Sequence, residues 1–155
     1  MNITITTDAS FYVKDKVGGF AFQIRSDEGL IKLWGPLKGD IQNPTEAEMK
    51  SIINALHILV EKNYKINFLT INTDCEFIVK HMFTDKKKRK DILKELTKTI
   101  SKYLNLLDYE VLNIKHVKAH TGDFSTARSR ANDWCDHHSR AGSLIASEQK
   151  KNCIN

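Results

Sequence analysis

Four carboxylates stand where strand patterns end or helical patterns run. Asp8 follows the alternating segment Ile3-Thr4-Ile5-Thr6-Thr7, and Asp74 closes the apolar run Leu69-Thr70-Ile71-Asn72-Thr73. Glu48 lies three residues after Thr45, beside an apolar stripe, and Asp136 lies in the last helical stretch. Each has a common structural use: Asp8 as a turn residue, Glu48 in a helix cap, Asp74 as an N-cap, Asp136 on a solvated face. Brought together they would do something else. Oxygen ligands without Cys or His suit Mg²⁺ or Mn²⁺ rather than Zn²⁺. Two such ions, about 4 Å apart, activate a water and stabilise the leaving oxygen of a phosphodiester.

The elements that would position these acids follow from periodicity. Ile3 to Asp8 alternates as a strand that ends at or just past Asp8. Gly18-Gly19 reads as a turn, Phe20 to Ile24 as a second strand, and Leu30 to Trp34 as a third after Asp27-Glu28-Gly29. Thr45 with Glu48 reads as a capping box opening a helix that ends at Asn63. Ile66 to Thr73 is a buried strand, parallel to the first because a helical crossover precedes it. A short helix over 76–83, a longer one with a stripe from Ile92 to Leu107, a strand over 109–117 and a final helix over 127–146 complete the order. The expected architecture is α/β: a five-stranded mixed sheet, three antiparallel strands and then parallel ones, flanked by helices. Asp8 and Asp74 then end neighbouring parallel strands, about 4.8 Å apart. The reading places one domain over 1–147 and a polar, frayed tail over 148–155.

The segments Thr7-Asp8-Ala9-Ser10, Thr45-Glu46-Ala47-Glu48, Asn72-Thr73-Asp74, Val117-Lys118-Ala119-His120-Thr121-Gly122 and Asn132-Asp133-Trp134-Cys135-Asp136 occur in that order. The set resembles type 1 ribonuclease H over roughly residues 3–142. The resemblance implies the ribonuclease H-like fold, with Asp8, Glu48, Asp74 and Asp136 as ligands of two Mg²⁺ or Mn²⁺ ions. It implies His120 as a catalytic histidine in proton traffic or product release, and Ser10 and Asn132 close to substrate. The activity it implies is hydrolysis of the RNA strand of an RNA/DNA hybrid, leaving 5′-phosphate and 3′-hydroxyl ends. Selectivity in such enzymes comes from reading 2′-hydroxyls on one strand. Ala9 replaces the usual glycine, Asn43-Pro44-Thr45 stands where an asparagine pair touches the minor groove, and Glu76 stands where a glutamine is common. Asn43 and Thr45 are the substrate contacts expected there.

The rest of the chain fits this class without demanding it. A net charge of +5 favours a polyanionic partner. Lys86, Lys87, Lys88 and Arg89 form the densest basic run, either a phosphate-backbone contact or a solvated junction between helices. Three cysteines without a CxxC argue against a disulfide framework and for a reduced, cytoplasmic setting. Cys135-Asp136-His137-His138 lacks structural-zinc spacing. Trp34 and Trp134 are candidates for stacking on bases or sugars, although packing is the commoner use of such rings. No apolar run is long enough to span a bilayer, so no membrane attachment is expected; a monomer is the expected state. The same acids also fit a DNA nuclease of the junction-resolvase kind, and a hybrid-binding module that has lost catalysis is the third reading.

Overall fold

The computed structural model describes residues 1–82, 91–117 and 124–154. The strands are β1 (Asn2–Tyr12), β2 (Val17–Ser26), β3 (Gly29–Pro36), β4 (Lys65–Thr73) and β5 (Asp108–His116). The helices are α1 (Pro44–Lys62), α2 (Glu76–His81), α3 (Asp91–Leu106) and α4 (Ala127–Ile154). They form one five-stranded sheet in the order β3-β2-β1-β4-β5. The β1–β2 and β2–β3 pairs are antiparallel, and β1–β4 and β4–β5 are parallel, as the alternation and the helical crossover require. One face carries α1 and α3 over a core of Ile3, Ile5, Phe22, Met49, Ile52, Leu56, Leu69, Ile71 and Ile100. The helix α4 crosses β1, β2 and β3 on the other face.

Three expected boundaries shift, each for a physical reason. First, β1 does not end at Asp8 but runs to Tyr12, because Asp8 to Tyr12 pair with Ala21 to Val17 of β2. Its parallel pairing with β4 does stop at Thr6–Asn72, so Asp8 still stands just beyond the shared end of those two strands. Second, Gly18-Gly19 is not the turn. The chain reverses over 13–16 with Lys16 at φ 52°, and both glycines lie inside β2. Gly19 is small because α4 lies on it: a Cβ there would collide with the backbone of Ser139, Gly142 and Ser143. Gly142 is matched in the same way against the carbonyl of Gly35. Third, the segment from Glu148 is not frayed. α4 continues to Ile154, with Ser147 bonded to Asp15 and Lys150 donating to the Asp15 carbonyl and to Asp40 at 2.7 and 2.9 Å.

The close approach of α4 to β2 sets the height of Asp136 above the sheet and can be tested without touching the acids. Gly19→Ala forces backbone apart and is expected to lower Tm by roughly 5 °C or more, from an overpacking cost of about 1–3 kcal/mol. Gly35→Ala, whose Cβ would meet only the Phe20 ring at 3.6 Å, is expected to leave Tm nearly unchanged. Thermal unfolding of the two variants checks this.

Candidate metal centre

The site begins with a single backbone amide. Ala9 N–H donates to Asp8 Oδ1 at 2.9 Å and to Glu48 Oε1 at 3.0 Å, tying a strand carboxylate to a helix carboxylate. Ala9 lies in extended backbone, where a Cβ meets no conformational penalty, so the departure from glycine is accommodated. The buried Ser51 hydroxyl bridges α1 to the strands through the carbonyls of Asp8 and Ala21, at 3.0 and 3.3 Å. Asp74 follows the last residue of β4, and Thr73 holds the turn by accepting from the Cys75 amide at 3.1 Å. One oxygen each of Asp8, Glu48 and Asp74 lie within 4.8 Å of one another.

Glu48 is free for this because it does not cap its helix. The N-cap is Asn43, whose Oδ1 accepts from the Glu46 amide at 2.9 Å, with Pro44 as the first helical residue. Glu46, not Glu48, closes the cap: its Oε2 accepts from the Gln42 amide at 2.7 Å, and its Oε1 pairs with Lys50. The expected Thr45–Glu48 box is thus displaced by two residues. Asn43-Pro44-x-Glu46 carried that signal in full, with a capping residue, a proline at N1 and an acid three residues on. Ser51 was signalled only weakly, as a hydroxyl inside an apolar stripe, and the Ala9 amide not at all.

Electrostatics within the cluster are unfavourable when it is empty of cation. Burial first, and then the charge of Asp74, push the Asp8 carboxyl up to about 7, with the Ala9 amide opposing and Asp136 adding. Burial, Asp74 and Asp8 hold Glu48 well above the usual carboxylate range. Burial also raises Asp74, against the pull of its hydrogen bond with Glu48 and of His116. Glu48 Oε2 is buried and has no hydrogen-bond partner among the described residues. Only a proton held between carboxyls or a cation bridges it to its neighbours. Three oxygen donors, with no sulfur or imidazole in the cluster among the described residues, fit a hard divalent cation. The neighbouring thiols add nothing here: burial raises both Cys75 and Cys135, which leaves them protonated packing groups.

The remaining sequence candidates divide. Asp136 is outside the three-acid cluster. It lies near enough to raise Asp8 and Asp74, while its Oδ1 pairs with Arg140 at 3.0 Å. Asn132 is one helical turn before Asp136 on the same flank of α4 and is half-buried. Ser10 is two residues beyond Asp8 on the same face of β1, with its carbonyl accepting from the Ser143 hydroxyl at 3.0 Å. Asn43 is occupied in capping, and Thr45 sits beside it in the first turn of α1. Glu76 is turned to Lys80, 2.8 Å away. His120 and the run Lys86, Lys87, Lys88 and Arg89 lie outside the described residues.

The metal-free stability of this cluster has a definite pH dependence. The folded-state pKa of Asp8, about 7, exceeds its ordinary 3.8, so folding takes up a proton between those values. Stability drawn from the protonated form is complete below about pH 4 and is lost as pH rises through about 7. In EDTA, Tm is expected to fall by roughly 5–10 °C between pH 5 and 8, an effect of a few kcal/mol. Mn²⁺ should recover most of that loss at pH 8, and Asp8→Asn should make the profile shallower, leaving the part that Glu48 and Asp74 contribute. Scanning calorimetry at several pH values is the measurement.

Comparisons with known proteins agree with the geometry. The family model described as RNase H matches residues 1–144. No curated protein matches the sequence. Among solved structures, the chain is similar to the N-terminal ribonuclease H domain of a Mycobacterium tuberculosis protein, solved as a fusion with maltose-binding protein. The identity is 14%, the TM-score is 0.75, and 96% of this chain and 97% of that one are covered. Ribonuclease H1 from the halophilic archaeon Halobacterium salinarum superposes with a TM-score of 0.72 at 13% identity, covering 94% and 100%. A ribonuclease H1 isolated from compost by a metagenomic approach, solved in complex with an RNA/DNA hybrid, gives 0.73 at 19% identity, covering 94% and 99%. These likenesses show the fold. With the family model matching residues 1–144, this chain belongs to the ribonuclease H family.

Proposed function

We propose that the chain is a metal-dependent endoribonuclease that hydrolyses the RNA strand of RNA/DNA hybrids, leaving 5′-phosphate and 3′-hydroxyl ends. The observation that carries the proposal is the meeting of Asp8, Glu48 and Asp74 around a buried carboxylate oxygen that lacks a donor. Family membership supports the reaction class, and the compost enzyme's complex with a hybrid supports the substrate. The cofactor is Mg²⁺ or Mn²⁺, two ions per site, held by Asp8, Glu48 and Asp74 with Asp136 completing the set. When bound, the ions supply an activated water and charge stabilisation for the leaving oxygen.

The chain's own residues do the positioning. Ala9 N–H and Ser51 fix Asp8 and Glu48 on a rigid strand and helix, so the ligands need little rearrangement. Arg140 holds Asp136 at the edge of the cluster and offsets part of the charge there. Ser10 and Asn132 flank the acids on β1 and α4, in reach of the substrate backbone. Asn43 and Thr45, at the mouth of α1, are the minor-groove contacts, the cap leaving the Asn43 amide nitrogen for substrate. His120 carries a proton to or from the reacting groups. Lys86, Lys87, Lys88 and Arg89 hold the phosphate backbone. The ribonuclease H-like domain is residues 1–147, with 148–155 as its polar C-terminal extension. The chain works as a monomer on nucleic acid in the cytoplasm; no described helix is long and apolar enough to cross a membrane.

End-labelled RNA/DNA hybrid, double-stranded RNA, double-stranded DNA and a four-way DNA junction, each with Mg²⁺ or Mn²⁺, test the proposal. Only the RNA strand of the hybrid should be cut, with no cutting in EDTA. Asp74→Asn should lower the rate about 10³-fold or more, the scale of losing a principal electrostatic contributor. Cutting of the junction in place of the hybrid would identify a DNA nuclease. Hybrid binding without cutting in any metal would identify an inactive binding module. His120→Ala should lower kcat by about 10²-fold, the lower end of general acid–base contributions, with the Mn²⁺ stabilisation intact.

A further inference from the structure

The only two tryptophans of the sequence lie together, away from the core. Trp134 and His138 are one turn apart on α4, their rings stacked with centroids 4.1 Å apart at 22°. His138 Nδ1 is 2.8 Å from the Trp134 carbonyl, which only accepts, so Nδ1 carries the proton and the ring is fixed. Trp34 on β3 meets His138 edge-on, with centroids 5.4 Å apart at 65°. Lys32 Nζ stands 5.1 Å from the centre of the Trp134 ring. His138 and Lys32 therefore occupy Trp134, and Trp34 is the more open ring, 41% exposed. Neither tryptophan belongs to the two apolar core clusters, so packing alone does not account for them.

Position adds to composition. β3 is an edge strand, and Leu30, Lys32 and Trp34 alternate onto one exposed face of it. Among the described residues, no carboxylate pairs with Lys32. The two residues are neighbours on that face, their Cα atoms roughly 6–7 Å apart along the strand. Trp34 pairs with Ala21 and Ala21 with Asp8, so the indole stands two strands from the carboxylates, about 10 Å across the same sheet face. α4 lies across that row, with Asp136 on one flank and Trp134 and His138 on the other, since residues two apart point about 200° apart around a helix.

We propose that Trp34 and Lys32 form a platform for single-stranded nucleic acid, a base stacking on the indole and the adjoining phosphate taken by the ammonium. An exposed, pre-ordered ring beside a cation that has no carboxylate partner among the described residues is the chemistry of sequence-tolerant single-strand binding. On the hybrid-cleavage reading, the platform seats an unpaired strand that continues beyond the duplex held at the acids. The platform itself does not depend on that reading.

Both tryptophans report on the platform, so intrinsic fluorescence follows it directly. The probe is oligo-deoxythymidylate of roughly 12 nucleotides, added to the whole chain in EDTA, with anisotropy of a labelled copy as the second readout. Saturable quenching is expected, weakened by rising salt. Trp34→Ala should weaken binding about tenfold, the scale of losing one stacked base. Trp34→Phe should largely retain it, and Lys32→Ala should weaken it several-fold and reduce the salt dependence. Cutting of a blunt hybrid with Mg²⁺ should be the same in all three variants and the wild type. Absence of binding, or equal binding by wild type, Trp34→Ala and Lys32→Ala, overturns the platform. Binding as expected by a wild-type chain that cuts no hybrid overturns the cleavage reading and leaves the platform standing.

Discussion

Three carboxylates held against one another in a partly buried corner set the terms for the rest of this structure. Left ionised and unbridged, they repel, and burial strips away the water that would screen them. The chain supplies one backbone N–H to two of them and no donor to Glu48 Oε2. A fold selected for stability alone would place an apolar residue or an amide at such a position. Keeping the acids there makes sense as a socket whose missing charge arrives from outside, so on the proposed function stability and activity would both draw on bound cation.

The fold meets this constraint by making every support of the socket rigid. Asp8 sits on a strand that is hydrogen-bonded to β4 up to Thr6 and to β2 through Tyr12, so it cannot move away from Asp74. Glu48 is carried by a helix whose start is fixed by Asn43, Pro44 and Glu46 and whose second turn is pinned to β1 and β2 through Ser51. α4 reaches the sheet closely enough to bring Asp136 within electrostatic range only because Gly19 and Gly142 carry no side chain. Where α4 crosses β3, Trp134 and His138 of the helix meet Trp34 and Lys32 of the strand.

Strand and helix order was legible because it depends on periodicity, and periodicity survives in Ile3 to Thr7, in Ile66 to Thr73 and in the stripe from Met49 to Val60. The order of four acids along those elements was legible for the same reason. What was misread depends on contacts distant in sequence. Gly18-Gly19 looks like a turn until α4 is laid across it, over a hundred residues later in the chain. The polar segment after Glu148 looks unsupported until Asp15 and Asp40 are placed beside Lys150. The shift of the cap from Thr45–Glu48 to Asn43–Glu46 was a choice between two overlapping patterns, and proline at N1 decides it. Nothing in the sequence marks the Ala9 amide, because a backbone donor has no residue type.

The most direct test of the central claim is the location of the cation itself. Crystals of the chain with Mn²⁺ and a hybrid whose RNA strand resists cutting would be measured at the manganese absorption edge. Anomalous density between Asp8, Glu48 and Asp74, with Glu48 Oε2 among the ligands and lost in a Glu48→Gln crystal, is the predicted result. Manganese bound elsewhere, or a hybrid seated on the acids with no density between them, would contradict the account.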